Sequence, residues 1–373
     1  MKILNLAPAS LNDKHGIASW FRYYFQGLIE SNHEHELYFV STRNKKGVEK
    51  EFTKGYYHFI INWLWPHVEE VLNAEKWDVI HYHTTILNFE NPEFEFKFFS
   101  KLLELKENGT KIITTTHSLQ KKDNSYEFSR CDVLNAELFY NTFSTFIASE
   151  HYNTKISELS DVVIYISQND MKVAKSLGDN FENCKVIYNS MNIYKDFNIK
   201  NNYKTKNIAF SHRWAMRKNW FSLLDVVPMN DDKTFHLSGD YFSPLLHMKL
   251  LKKDNVRFYG VLDEKGMEKI NEVSDIMLCP ALYEPFGFTA LESVILGTPS
   301  LIYKNTGTYE VLGDSSFCFT DDFPIEKALE KFYKTSDEEI KERIDSQQIN
   351  IKKFGNKTKM VDEYLSLYNE VVQ

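Results

Sequence analysis

The chain of 373 residues is expected to fold as α/β, in two Rossmann-like, doubly wound domains. Three observations carry that expectation. Strand-length apolar runs alternate with helix-length amphipathic stretches, the pattern of a parallel sheet with helices on both faces. The alternation is interrupted at 192–206 by a stretch rich in Asn and Lys and poor in aliphatic residues, and then it resumes. Finally, hydrophobic residues make up 43% of a chain too long for one ordinary domain, enough to build more than one core.

In the first half, the strand candidates are Lys2 to Leu6, Glu36 to Ser41, Val79 to His83, Lys111 to Thr116, Val162 to Ser167 and the short Lys185 to Tyr188. In the second they are Asn207 to Phe210, Lys233 to Leu237, Val256 to Tyr259, Ile276 to Cys279, Ser300 to Tyr303 and Phe317 to Phe319. The tail from Lys359 to Val372 has apolar residues at Met360, Tyr364, Leu365, Leu367, Tyr368 and Val371, a helical period. The expected organisation is a first domain over 1–191, a linker over 192–206 and a second domain over 207–356. The last element, 357–373, is a helix packing back toward the first domain. The basic run Arg43-Asn44-Lys45-Lys46-Gly47, with Lys50 and Lys54, leads into Tyr56 to Trp65. This reads either as a mobile loop followed by a core helix or as a surface that meets an acceptor.

Composition excludes several classes. No run reaches the roughly 18 apolar residues of a membrane span. The N-terminus shows no signal-type cleavage pattern. The four cysteines, Cys131, Cys184, Cys279 and Cys318, are far apart, without metal or disulfide spacing, which favours a reducing, cytoplasmic setting. A net charge of -8 gives no bulk attraction to phosphate polymers, though a local basic patch on an acidic protein remains open.

Ligands of open parallel sheets bind beyond the carboxyl ends of the strands. The strongest chemical signal stands at such a place, Tyr283-Glu284-Pro285-Phe286-Gly287-Phe288-Thr289-Ala290-Leu291-Glu292, after the strand ending at Cys279. A glycine-containing turn feeding a helix offers free backbone N–H groups to oxygen ligands. Two carboxylates spaced along the same ligand suit sugar and ribose hydroxyls, each accepting two hydrogen bonds. A second run, Ser211-His212-Arg213-Trp214-Ala215-Met216-Arg217-Lys218-Asn219, follows the first strand of the second domain. His81 and His83, two apart in a strand, share one side of it as metal ligands would. With no carboxylate or cysteine companion evident, packing and hydrogen bonding is the favoured reading.

The E-x-F-G-x-x-x-x-E run at Glu284 to Glu292, followed by Gly297-Thr298-Pro299, resembles the donor-site signature of retaining GT-B glycosyltransferases, specifically glycosyltransferase family 4. Arg213 and Lys218 match the cations that this family sets against the donor diphosphate. Asp78-Val79-Ile80-His81-Tyr82-His83 and Thr114-Thr115-Thr116-His117-Ser118 resemble its first-domain strands. The resemblance runs through nearly the whole chain. It implies a site in a cleft between two Rossmann-like domains and a nucleotide-sugar co-substrate with no other cofactor and no metal. A UDP-sugar is favoured, with the bond made with retention. It further implies catalytic roles for His117 and Glu284, and donor contacts from Gly16, Arg213, Lys218, Val261, Phe286, Gly287, Phe288, Thr289 and Glu292. Within that set Arg213 and Lys218 face the diphosphate, Glu292 the ribose, Glu284 and the amides of Phe286 to Phe288 the sugar, and Val261 the base. Two departures stand out: His212 replaces the family's glycine before the arginine, and His15-Gly16 replaces two adjacent glycines. No Asp-x-Asp motif stands at a strand end; Asp231-Asp232 and Asp321-Asp322 read as turns.

The expected acceptor is a glycan, a lipid-linked group or a protein, with peripheral membrane contact open. Phage-type transfer to a hydroxymethylated base in DNA, in an infected host's cytoplasm, is a rival on the same fold. A non-catalytic partner subunit and a nucleotide-sugar epimerase are rivals of other classes.

Overall fold

A computed structural model describes residues 1–7, 16–42, 48–53, 56–84, 92–117, 159–178, 182–191, 197–214, 216–239, 249–250 and 252–373. His15, Arg43 to Gly47, Lys54, Ser118, Cys131 and Ala215 lie outside the described residues. The chain divides into two compact units; among described residues, the first holds 1–117, 159–191 and 355–373, and the second 197–354.

The first unit is built on strands β1 (Lys2–Leu6), β2 (Glu36–Thr42), β3 (Glu49–Thr53), β4 (Tyr56–Ile61), β5 (Val79–Thr84), β6 (Lys111–Thr116), β7 (Val162–Tyr165) and β8 (Cys184–Val186). Their order is β3-β4-β2-β1-β5-β6-β7-β8. All neighbours are parallel except the antiparallel β3–β4 pair. Helices α1 (Gly16–Glu30), α2 (Trp65–Asn73), α3 (Pro92–Glu107) and α4 (Gln168–Ser176) intervene. The central strands carry unbroken apolar runs because both faces are covered: the four residues of β7 are all buried. Sequence order reverses between β1 and β5, the switch point of a doubly wound sheet. The strand expected to run to Ser167 stops at Tyr165, since the Ser167 side chain caps α4 by accepting from Asp170 N at 3.0 Å.

Two sequence expectations need correction. In the stretch before Trp65, Glu49–Thr53 and Tyr56–Ile61 are neither loop nor helix: as β3 and β4 they extend the sheet. Aromatic and β-branched residues from Tyr56 to Ile61 favour a pleated strand, and Tyr57 stacks on Tyr38 of β2 with ring centroids 4.6 Å apart. Lys50 lies over the Tyr57 ring at 4.6 Å and pairs with Glu75 at 3.4 Å, so its charge is used within the unit. The second correction concerns 192–206. From 197 onward this stretch is packed structure of the second unit, not a linker. Asn198 N donates to Ile295 O, Tyr203 is fully buried, and Lys200 Nζ donates to the carbonyls of Asn271 and Ser274. Its polar composition arises because these side chains cap backbone groups, which composition alone cannot distinguish from solvation.

The C-terminal helix (Lys357–Val372) belongs to the first unit and buries Met360, Val361, Tyr364, Leu367 and Tyr368. It reaches α1 closely because Gly27 has no side chain: a Cβ there would stand 2.5 Å from Val361 Cγ2. Lys357 and Glu30 pair at 2.6 Å beside that contact.

The second unit carries β9 (Asn207–Ser211), β10 (Thr234–Ser238), β11 (Val256–Phe258), β12 (Ile276–Cys279), β13 (Ser300–Tyr303) and β14 (Phe317–Phe319), all parallel, in the order β11-β10-β9-β12-β13-β14. This is the Rossmann order, with its switch point between β9 and β12. Helices α5 (Leu223–Val226), α6 (Glu264–Val273), α7 (Phe288–Ile295), α8 (Gly307–Leu312), α9 (Ile325–Lys334) and α10 (Asp337–Phe354) complete it. Among the described residues no helix is long and apolar enough to cross a membrane.

Candidate active site

In the second unit the candidate residues gather at the carboxyl end of the sheet. β9 ends at Ser211 and releases His212, Arg213 and Trp214, followed by a 3-10 turn over Met216–Lys218. Asn219 then takes a left-handed conformation, φ 51°, which asparagine tolerates better than most residues. β12 ends at Cys279 and leads through Tyr283, which is buried, to Glu284. The two runs meet at the switch point: Lys218 Nζ donates to Glu284 Oε2 in a short ion pair.

That pair is largely withdrawn from water, with side-chain exposures of 12% and 16%. Burial alone would raise the Glu284 carboxyl, but Lys218 and then Arg217 outweigh it and hold the group down to about 2. Burial lowers the Lys218 ammonium, opposed by Glu284 and reinforced by Arg217 and Arg213. His212 is buried, and burial followed by Lys218 pushes its imidazole down to about 3, so it is neutral at ordinary pH. Lys218 and Arg217 thus act on the Glu284 carboxylate, and Arg213 acts on Lys218. Arg213 is exposed beside this cluster, and Glu292 is exposed on α7.

The sign of the pH effect follows. A carboxyl depressed on folding contributes stability that is complete above its unfolded value, about 4.3. It is lost as the pH falls through about 2. Between those limits the wild-type chain should lose urea stability relative to Glu284→Gln. A difference that stays flat across the window would show that Glu284 is not the ionised partner.

Backbone shape around the pair is set by glycines. Gly287, φ 84°, precedes α7, and a Cβ there would lie 2.0 Å from Thr308 Oγ1 on α8. Gly307 N donates to Glu284 O at 2.9 Å, tying α8 to the carboxylate-bearing loop. The amides of Phe288 and Thr289 precede the first helical bonds, which run from Ala290 and Leu291 to Gly287 O. The Phe286 ring is buried against Phe288 with centroids 5.1 Å apart. On the other side of β9, Gly239 N donates to Gly260 O at 2.9 Å, and Val261, 71% exposed, follows it.

Arg213, Lys218, Glu284, Phe286, Gly287, Phe288, Thr289, Glu292 and Val261 thus all follow or flank carboxyl ends in one sheet. Sequence reasoning passed over Arg217, Gly239 and Thr308. Arg217 stands inside the quoted basic run, and Gly239 ends a strand, so both left a signal; the contact of Thr308 with Gly287 is long-range and left none. Of the acidic pairs, Asp232 binds Lys233 at 2.7 Å and Lys206 at 3.0 Å, and Asp321 accepts from Tyr303 OH at 3.0 Å.

The other candidates lie in the first unit. Gly16 opens α1. His117 follows β6 and is buried, its pKa lowered to about 3 by burial. His81 has both ring nitrogens engaged, Nδ1 with Tyr368 OH at 2.5 Å and Nε2 with Thr115 Oγ1 at 2.7 Å. It therefore serves packing and hydrogen bonding.

Two doubly wound sheets, the second bearing a cation–carboxylate site at its switch point, have the architecture of the GT-B fold. Residues 193–351, within the second unit for nearly all of their length, match the family model described as glycosyl transferases group 1. An uncharacterized 41.2 kDa protein in the cps region of Klebsiella pneumoniae is 25% identical over 257 residues, 66% of this chain and 65% of the relative's own length. Among solved structures, sucrose-phosphate synthase from Thermosynechococcus elongatus superposes with a TM-score of 0.75 at 13% identity, over 99% of this chain and 98% of that one. The Anabaena protein HepE, in complex with UDP and glucose, gives 0.68 at 13% identity, over 99% and 100%. At such identities the two structures speak for the fold.

Proposed function

We propose that the protein is a retaining glycosyltransferase that moves a sugar from a nucleotide diphosphate donor, a UDP-sugar, to a glycan, lipid-linked or protein acceptor in the cytoplasm without a metal ion. The observation that carries this reading is the Lys218–Glu284 pair, with Arg213 and Arg217 acting on Lys218, inside the stretch that matches the group 1 family model. Transfer breaks the bond between the anomeric carbon and the diphosphate oxygen, and a new bond forms from an acceptor oxygen on the same face. Negative charge grows on the leaving diphosphate, and fixed cations stabilise that charge in a site already partly dry. Cationic side chains at this end of the sheet suit the negative charge of a nucleotide-sugar diphosphate, which supports transfer without a divalent ion. Glu284, once Lys218 turns to phosphate, has a carboxylate ready for sugar hydroxyls. The UDP complex of HepE on the same fold supports UDP as the nucleotide. The resemblance of Thr114 to Ser118 to the family's histidine-bearing strand supports His117 at the sugar.

The chain should be incubated with a panel of nucleotide sugars in excess EDTA, and the product's anomeric configuration read by NMR. Transfer with retention is expected, and stabilisation against heat by UDP should follow its affinity. Activity lost on chelation and restored by manganese would overturn the metal-free reading, and an inverted product the retaining one. Arg213→Ala and Glu292→Gln should each reduce turnover at least about tenfold, roughly 1.4 kcal/mol of lost site interaction. Unimpaired turnover in both folded variants would remove them from the donor site.

A further inference from the structure

The first unit contains a histidine that packing and the donor contacts leave unexplained. His83 on β5 is fully buried. Its Nδ1 stands 3.4 Å from His117 Nε2, and its own Nε2 is buried without a hydrogen-bond partner among the described residues. β5 and β6 are parallel, with His83 registered against Thr115. Because side chains alternate along a strand, His81 and His83 share one face and Thr115 and His117 the matching one. His81 is saturated by Tyr368 and Thr115, so it cannot exchange roles with His83. Trp20 packs on both remaining rings, at 5.1 Å from His83 and 4.4 Å from His117. Both imidazoles lose charge on burial and are neutral.

A neutral imidazole has one donor and one acceptor nitrogen. If His83 carried its proton on Nε2, a buried N–H would be orphaned; with the proton on Nδ1, only a lone pair is. Orphaned buried donors are the rarer case. We infer that His83 is a positioning residue: its Nδ1–H donates to His117 Nε2, which fixes the His117 ring and forces its own proton onto Nδ1. His117 then offers an N–H at Nδ1 as its free polar group, a donor for a sugar hydroxyl or for the acceptor oxygen before it loses its proton. This assignment rests on the proposed role of His117 at the sugar only for its catalytic consequence; the tautomer itself does not depend on that role.

The test uses the full chain labelled with 15N-histidine, without ligand, and reads ring-nitrogen shifts and two-bond couplings. His117 is expected as the Nδ1–H tautomer in the wild type. It should lose that state in His83→Ala and keep it in His83→Asn, whose side-chain amide can replace Nδ1–H. Kinetics with the donor that gives wild-type turnover should show kcat lowered about tenfold by His83→Ala, the donor KM nearly unchanged, and recovery in His83→Asn. A wild-type His117 protonated on Nε2, or a His117 tautomer indifferent to His83→Ala, would overturn the inference even if one variant failed to fold. Undiminished turnover in His117→Ala with the tautomer as stated would instead reject the role of His117 and leave the His83 assignment standing.

Discussion

Lys218→Met is expected to abolish measurable transfer and to destabilise the chain by about 3 kcal/mol, because it leaves the Glu284 carboxylate buried without its ion-pair partner. The small residual exposure of both side chains puts the expectation at the lower end of the range for a broken buried pair. Glu284→Gln should cost less stability, since burial already lowers the Lys218 ammonium, which can shed its proton instead of remaining as an unpaired charge. Turnover should nevertheless fall at least about tenfold. The double variant separates the two roles. Removing both charges removes the desolvation penalty with the attraction, so stability should recover toward the wild type while transfer stays lost. Urea denaturation of the four proteins and titration with UDP give the cycle. Additive stability losses would mean that the two side chains do not form a coupled pair.

Most of the fold was legible because buried parallel strands announce themselves as apolar runs. Lys2 to Leu6, Lys111 to Thr116, Ile276 to Cys279, Ser300 to Tyr303 and Phe317 to Phe319 are observed with the boundaries read from sequence. The failures have physical causes. β3, Glu-Lys-Glu-Phe-Thr, is an edge strand whose charged side chains guard against pairing with other chains, and those charges made it read as loop. β4 is contiguous with Trp63 and Trp65, so an aromatic run without polar alternation gave no period with which to choose between strand and helix. The 197–206 stretch misled because capping side chains are as polar as solvated ones.

The site was legible in part for a related reason. Glu284 to Glu292 and Arg213 to Lys218 are local runs, each following a strand, and rules about strand ends find them. That Lys218 and Glu284 touch, 66 positions apart in the chain, is a fact of sheet order, since β9 and β12 are neighbours only through the crossover at the switch point. The environment of His83 and His117 depends likewise on Trp20 of α1 and on the pairing of β5 with β6. Spacing along the sequence carries none of this.

Gly239→Ala is expected to be the most damaging substitution of a single methyl near the proposed donor site, and Gly260→Ala is its control. Both glycines have positive φ, 137° and 67°, so alanine at either place meets backbone strain of about 1–2 kcal/mol. What surrounds them differs. A Cβ at Gly260 meets nothing within 4 Å, whereas one at Gly239 would lie 1.9 Å from His212 O and 2.9 Å from Trp214 Cδ1 and Nε1. The nearest obstacle is backbone, which cannot rotate aside, so the carboxyl end of β9 must move and carry Arg213 with it. That displacement adds about 1–3 kcal/mol to the strain. Gly239→Ala should therefore lose about twice the stability of Gly260→Ala or more, and its UDP affinity should fall at least about tenfold. Gly260→Ala should bind UDP nearly as the wild type does. Calorimetric titration with UDP and urea midpoints of both variants decide the matter. Equal losses in the two would mean that backbone strain alone acts and that the approach of Gly239 to His212 does not hold the cation-bearing loop in place.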